Sequence, residues 1–269
     1  MKDYLVCIDS DGCAIDSMEI KHRQCFGPCM IDEFGLEAWR DELLDRWNQI
    51  NLYAMTRGIN RFLGLEMMLT EVSQTHQPID GLDEYRAWCR RSSAFSNAAV
   101  QDALSIHPIF QKVLAWSQAV NRRIAEIADE IRPFDGVSEA LRTMHGCADI
   151  AIVSSANPQA VRDEWTRFGF MDCVDHVMAQ DAGTKSACIG RLLSLGYPPD
   201  HVLMIGDAPG DARAARDNGV WYYPILAGKE ADSWQHLREE AFLRLMENRF
   251  DEAYQKQLVE AFERNLSGQ

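Results

Sequence analysis

The sequence predicts an α/β protein, a parallel sheet core flanked by helices, with an all-helical domain inserted after the first strand. Three observations carry this. An apolar run, Leu5-Val6-Cys7-Ile8, stops abruptly at Asp9-Ser10-Asp11-Gly12. About 115 residues with helix-like apolar spacing and no strand-like run then separate Ser17 from Arg132. From Pro133 onward, short apolar runs alternate with helices of about a dozen residues, the rhythm of a parallel α/β sheet.

The first run has the character of a strand buried on both faces. Beyond it, segments 18–24, 36–51, 58–76, 82–91, 97–104 and 108–130 have helical spacing, with breaks at Gly27-Pro28, at Gln77-Pro78 with Gly81, and at His107-Pro108. Ser96 is placed to cap the helix that follows it. Pro133-Phe134-Asp135-Gly136 is a turn, 137–145 a short helix, and 149–153 an apolar run ending in Ser154-Ser155. Helices are expected at 158–168, 185–195 and 212–218, each closed by a glycine, and strands at 174–178, 201–205 and 221–225. Residues 231–266 read as helical and charged. An insert this long exceeds an ordinary connection. The expected organisation is therefore an α/β core of residues 1–16 and 134–269 and a helical domain of 17–133, hinged near Ser17 and Arg132.

Composition narrows the function. The 269 residues are 46% apolar, enough for a sizeable core, and the net charge is −14. Such a chain repels phosphate backbones, so nucleic acid is not an expected partner, while a small anionic substrate can still find a local basic pocket. The eight cysteines show no CxxC pairing. Cys25 and Cys29 lie at helical spacing around Pro28, which leaves a zinc or disulfide role as the alternative to reduced thiols in a cytoplasmic protein. The apolar run before Asp9 is too short for a signal-peptide core, and nothing approaches the ~20 apolar residues of a membrane span.

The chemistry is expected at the carboxyl ends of the strands, where open parallel sheets bind ligands. Asp9 and Asp11 stand one residue apart, and two close carboxylates repel unless a cation or a shared proton relieves them. That points to a metal site or to an acid paired with a base; a solvated turn is the alternative. Ser154 and Ser155 end a second strand. Asp207 ends a third, with Asp211 four residues on, and Lys185 opens a helix after Gly183-Thr184. Asp9, Asp11, Asp207 and Asp211 would make a dense negative site suited to Mg2+, a hard cation that takes oxygen ligands. A lysine and hydroxyls beside that ion suit a phosphoryl group, whose charge spreads over three oxygens. Lys185 at a helix start opposes the helix dipole, and that misfit favours a functional role. Asp211 reads alternatively as a helix-start residue, Ser155 as a turn residue, and Asp16 and Ser17 as hinge and cap residues.

These motifs resemble the haloacid dehalogenase superfamily, in particular phosphatase-like members with a helical cap inserted after the first strand. Asp9–Gly12 matches its DxDG signature, Ser154 the second motif, Lys185 the third, and Gly206-Asp207-Ala208-Pro209-Gly210-Asp211 the GDxxxD motif. The resemblance covers roughly 1–17 and 134–225; the cap is matched by position and character alone. It implies a Rossmann-like core and hydrolysis of a small phosphorylated metabolite through an aspartyl-phosphate. Asp9 would be the nucleophile and Asp11 the acid and base. Mg2+ would be held by Asp9, the Asp11 backbone carbonyl, Asp207 and, directly or through water, Asp211. Ser154 and Lys185 would neutralise the phosphoryl oxygens, with Ser155 beside them.

Cys13 departs from the threonine usual at its place in the family. Asp11 disfavours dehalogenation. The phosphonate-cleaving alternative would need Lys21 as a Schiff base, and the mutase alternative would need a histidine where Lys21 stands, with His22 one position late. A non-catalytic phosphometabolite sensor is the alternative of another class. Cap specificity is expected from Arg57, Asn60 and Arg61 around Gly58, with solvated arginines at a helix start as the alternative.

Overall fold

The protein is described by a computed structural model covering residues 1–268. Its strands are β1 (Tyr4–Ile8), β2 (Ile15–Asp16), β3 (Arg132–Pro133), β4 (Ala148–Val153), β5 (His176–Met178), β6 (Val202–Gly206) and β7 (Trp221–Pro224). Five of them form a parallel sheet in the order β5-β4-β1-β6-β7. The expected α/β fold with a parallel sheet is therefore present. The strand order reverses direction at β1, which places the ends of β1, β4 and β6 side by side at the crevice where such sheets take ligands.

The chain divides into two compact units, Met1–Met18 with Ile131–Gln269, and Glu19–Glu130. In the first unit, β1, β4 and β6 are buried along their whole length apart from Tyr4. Their Leu5, Cys7, Ala151, Val153, Val202 and Met204 share one core with residues of the helices α10 (Lys185–Leu193), α11 (Pro209–Asn218) and α14 (Glu252–Ser267). This is the physical reason those strands read as unbroken apolar runs. The strand β2 pairs antiparallel with β3, Ile15 opposite Pro133 and Asp16 opposite Arg132, so the two chain crossings leave the first unit as one short ribbon.

The tail is less regular than its composition suggests. In place of one helical stretch over 231–266, α12 (Glu230–His236), a π-helical turn (Leu237–Ala241) and α13 (Phe242–Met246) precede a break where Asn248 takes φ 52°, and then α14 follows. Gln255 of α14 accepts the backbone N–H of Tyr222 at 2.7 Å, which satisfies a donor on the edge strand β7.

The second unit is helical throughout. It contains α1 from Glu19 onward (α1 is Met18–Lys21), α2 (Gly27–Phe34), α3 (Arg40–Leu52), α4 (Arg61–Thr75), α5 (Leu82–Arg91), α6 (Asn97–Asp102) and α7 (Ile109–Glu126). Its own core is built on Trp47, Phe62, Tyr85, Phe110 and Trp116. The break expected at Gly27-Pro28 is instead a continuation: a π-helical turn, His22–Phe26, runs directly into α2. The Gly27 N–H bonds to the His22 carbonyl five residues back, and Pro28 falls in the first turn of α2, where no N–H is needed.

Candidate active site

The strand β1 delivers Asp9 buried, at 5% exposure, directly beyond its last residue. The Asp9 N–H bonds to the Ile205 carbonyl of β6 at 3.0 Å, and Asp9 Oδ1 accepts the Ser10 N–H at 2.7 Å. The chain then turns. The Ser10 carbonyl accepts the N–H groups of Cys13, Ala14 and Ile15, while Gly12 takes φ 78°, a conformation that costs a side-chain-bearing residue energy. This turn fixes the spacing of Asp9 and Asp11. The Asp11 carboxylate accepts a hydrogen bond from the buried Ser17 hydroxyl, so Ser17 orients a site residue where the sequence suggested only a hinge or cap.

Across the strand boundary, β6 delivers Asp207 and α11 delivers Asp211, both buried. Asp211 Oδ2 reaches back to the Ala208 N–H at 3.1 Å, so the residue stabilises its helix start and also faces the site. Gly206 is required by this packing: a Cβ there would lie 2.3 Å from Asp211 Cγ and 2.4 Å from its Oδ2. The helix α10 begins at Lys185, capped by the Thr184 hydroxyl, and the Lys185 ammonium donates to Asp9 Oδ2 and Asp211 Oδ1, each at 2.6 Å.

Asp9, Asp207 and Asp211 bring carboxylate oxygens within 4.8 Å of one another. Among the described residues they are the only group of three or more His, Cys, Asp or Glu side chains so arranged. Burial pushes the Asp9 carboxyl well up; Lys185 pulls it down, and Asp211 and Asp207 push it further up. Burial opposes the Lys185 ammonium, yet Asp211 and Asp9 together hold its pKa above the usual lysine range. Asp9 and Asp211 thus share the Lys185 ammonium, with the Asp207 carboxylate beside them. Burial, with Asp207 and Asp9 alongside, keeps the Cys13 thiol neutral; its Sγ lies 3.6 Å from the Ile205 carbonyl.

Ser154 is buried at the end of β4, the strand beside β1, where Ile152 pairs with Ile8. Its hydroxyl accepts the Ala156 N–H at 3.1 Å. Ser155 is exposed. Four of the sequence-expected positions, Asp9, Lys185, Asp207 and Asp211, are in mutual proximity, while Asp11 and Ser154 lie on the adjoining loop and strand end.

Arg57, Asn60 and Arg61 belong to the second unit. Arg57 is buried at 5% exposure and donates to the Leu52 carbonyl at 2.8 Å, which differs from a solvated arginine. The Asn60 side chain caps α4, accepting the Phe62 N–H at 3.0 Å. Arg61 donates to Asn121 Oδ1 at 2.7 Å and lies over the Phe26 ring. His22 is also buried there, its Nδ1 accepting the Trp47 indole N–H at 3.0 Å. All eight cysteines are free thiols, and no described helix is long and apolar enough to cross a membrane.

A model of the haloacid dehalogenase-like hydrolase family matches residues 5–219. No curated protein matches the chain. Among solved structures, a candidate phosphoglycolate phosphatase from Lactobacillus delbrueckii subsp. bulgaricus is similar at 15% identity and TM-score 0.53, over 89% of this chain and 92% of its own. A second candidate phosphoglycolate phosphatase, from Lactobacillus plantarum, is similar at 13% identity and TM-score 0.50, over 87% and 91%. A predicted phosphatase from Clostridium acetobutylicum is similar at 15% identity and TM-score 0.50, over 83% and 85%.

Proposed function

The chain belongs to the haloacid dehalogenase-like hydrolases, and from that premise we propose that it is a Mg2+-dependent phosphatase acting on a small phosphomonoester. The observation that carries the reading is the carboxylate cluster with its single lysine at the ends of two adjacent strands. Its donors are all oxygens, which select a hard cation. Three clustered carboxyl groups beside one ammonium suit a divalent ion together with an anionic substrate. Asp9, Asp207 and Asp211 would hold the ion, with the Asp11 carbonyl as a further ligand. Bound there, it would neutralise the carboxylates and polarise the phosphoryl group.

The chain's own groups supply the rest. A carboxylate oxygen of Asp9 attacks phosphorus while the ester P–O bond breaks, giving an aspartyl-phosphate. Asp11 gives its proton to the departing oxygen. A water then attacks phosphorus, Asp11 takes the water's proton, and the Asp9–phosphorus bond breaks to release phosphate and regenerate both aspartates. Ser17 holds the Asp11 carboxylate throughout. Lys185 and Ser154 meet the phosphoryl oxygens as their charge develops. The helical unit of Glu19–Glu130 is read as the cap that selects the substrate, with Arg57 and Arg61 as the cationic groups offered to it.

Phosphate release from a panel of phosphorylated metabolites, with Mg2+ or with EDTA, tests this. Turnover of at least one ester with Mg2+, lost with EDTA and reduced by about a thousandfold or more in Asp9→Asn, is expected. No release from any ester, or undiminished release in Asp9→Asn, would overturn it.

A further inference from the structure

The first unit contains two wholly buried tryptophans, and both hydrogen-bond to the loop that carries the two aspartates. The Trp165 indole N–H donates to the Ser10 hydroxyl at 2.9 Å, between Asp9 and Asp11. The Trp234 indole N–H donates to the Cys13 carbonyl at 2.9 Å, immediately after Gly12. The loop between Ser10 and Cys13 is thus held at both ends by hydrogen bonds from wholly buried aromatic groups. A buried indole needs an acceptor somewhere. Here both meet the same short loop from different helices, Trp165 from α9 (Pro158–Arg167) and Trp234 from α12. Trp234 itself is seated against Gly136, where its Cβ is 3.3 Å from the point a side chain would occupy.

We propose that Trp165 and Trp234 are positioning residues: acting through Ser10 and Cys13, they fix the directions in which Asp9 and Asp11 point. The proposal rests on the phosphatase reading above for its catalytic meaning. It also assigns a role to the tail, since Trp234 lies beyond residue 219, where the family match ends. Residues following the family domain would then supply part of the apparatus that holds the reacting carboxylates.

Trp165→Phe and Trp234→Phe keep an aromatic ring and remove the donor. Trp221→Phe is the control, since its indole N–H bonds to the Asp200 carbonyl at 3.0 Å, away from the loop. With para-nitrophenyl phosphate and Mg2+, each loop-facing variant is expected to lose about tenfold in kcat with KM changed by less than about twofold, while the control matches wild type. Circular dichroism at the assay temperature confirms the folded fraction. Ser10→Ala, which removes the acceptor of Trp165 and leaves the ring, is expected to act in the same direction and covers the case of an unfolded tryptophan variant. Independently of turnover, addition of Mg2+ alone to the wild-type protein should shift the indole 1H–15N resonances of Trp165 and Trp234 by more than a linewidth and leave that of Trp221 in place. Wild-type kcat in folded Phe variants, or loop-facing indole resonances that stay in place while a Mg2+-induced rise in melting temperature shows that the ion binds, would overturn the proposal. A wild-type protein inactive on every ester would overturn the phosphatase reading alone.

Discussion

Single residues at this site often do two things at once. Asp211 satisfies the start of α11 and also accepts a hydrogen bond from Lys185, and the missing side chain of Gly206 leaves room for it. Gly206→Ala is expected to push Asp211 out of place, lowering kcat by about a hundredfold and stability by ~1–3 kcal/mol, as measured by phosphate release and urea denaturation. Wild-type turnover in that variant would remove Asp211 from the site. The residues that cluster here were legible because their types are unusual where they stand: carboxylates directly after buried apolar runs, and a lysine at a helix start. Ser17, Trp165 and Trp234 were not legible. A serine six residues from Asp11 and two core tryptophans carry no periodic signal, and their significance is set by contacts that only the folded chain makes. The Asn60 side-chain oxygen caps α4, a role that its type and its place before that helix also suit.

Among the elements, β4 is anchored by a charge at its amino end. Asp149 is buried, and its Oδ2 accepts the Tyr197 hydroxyl at 2.5 Å and the Lys2 N–H at 2.8 Å. Burial works against the carboxylate, but these donors outweigh it and lower its pKa below the usual 3.8. A carboxyl group with a lower pKa folded than unfolded contributes stability above its unfolded value and loses that contribution as pH falls toward the folded one. Melting temperature should therefore decline below about pH 4 in the wild type, and Asp149→Asn should flatten that limb while costing ~1–3 kcal/mol at neutral pH. An unchanged acid limb would show that the pair contributes nothing.

The elements themselves were largely legible, because β1 beyond Tyr4, β4 and β6 are buried throughout and helices of the core are closed by glycines. Two interruptions were not. The π-helical turns at His22–Phe26 and Leu237–Ala241 keep the apolar spacing of a helix, so the pattern does not mark them. Near Pro28, the breaker residue argued for a stop where the wider turn absorbs it.

For the whole molecule, charge and partition matter most. The chain carries a net charge of −14, and three of its carboxyl groups are clustered and buried. Binding of Mg2+ to the folded state alone should raise the melting temperature, with ~2.7 kcal/mol gained at about a hundred times the dissociation constant. Differential scanning calorimetry at millimolar Mg2+ checks this, with Asp207→Asn expected to lose the shift. A melting temperature indifferent to Mg2+ in the wild type would count against the metal site.

The ribbon of β2 and β3 has a longer-range consequence. Because Ile15 and Pro133 stand opposite each other, the intervening stretch departs and returns at neighbouring points. Exchange of the stretch between those two points would leave the five-stranded sheet and the carboxylates of Asp9, Asp11, Asp207 and Asp211 in place, provided the incoming segment keeps a hydroxyl where Ser17 meets Asp11.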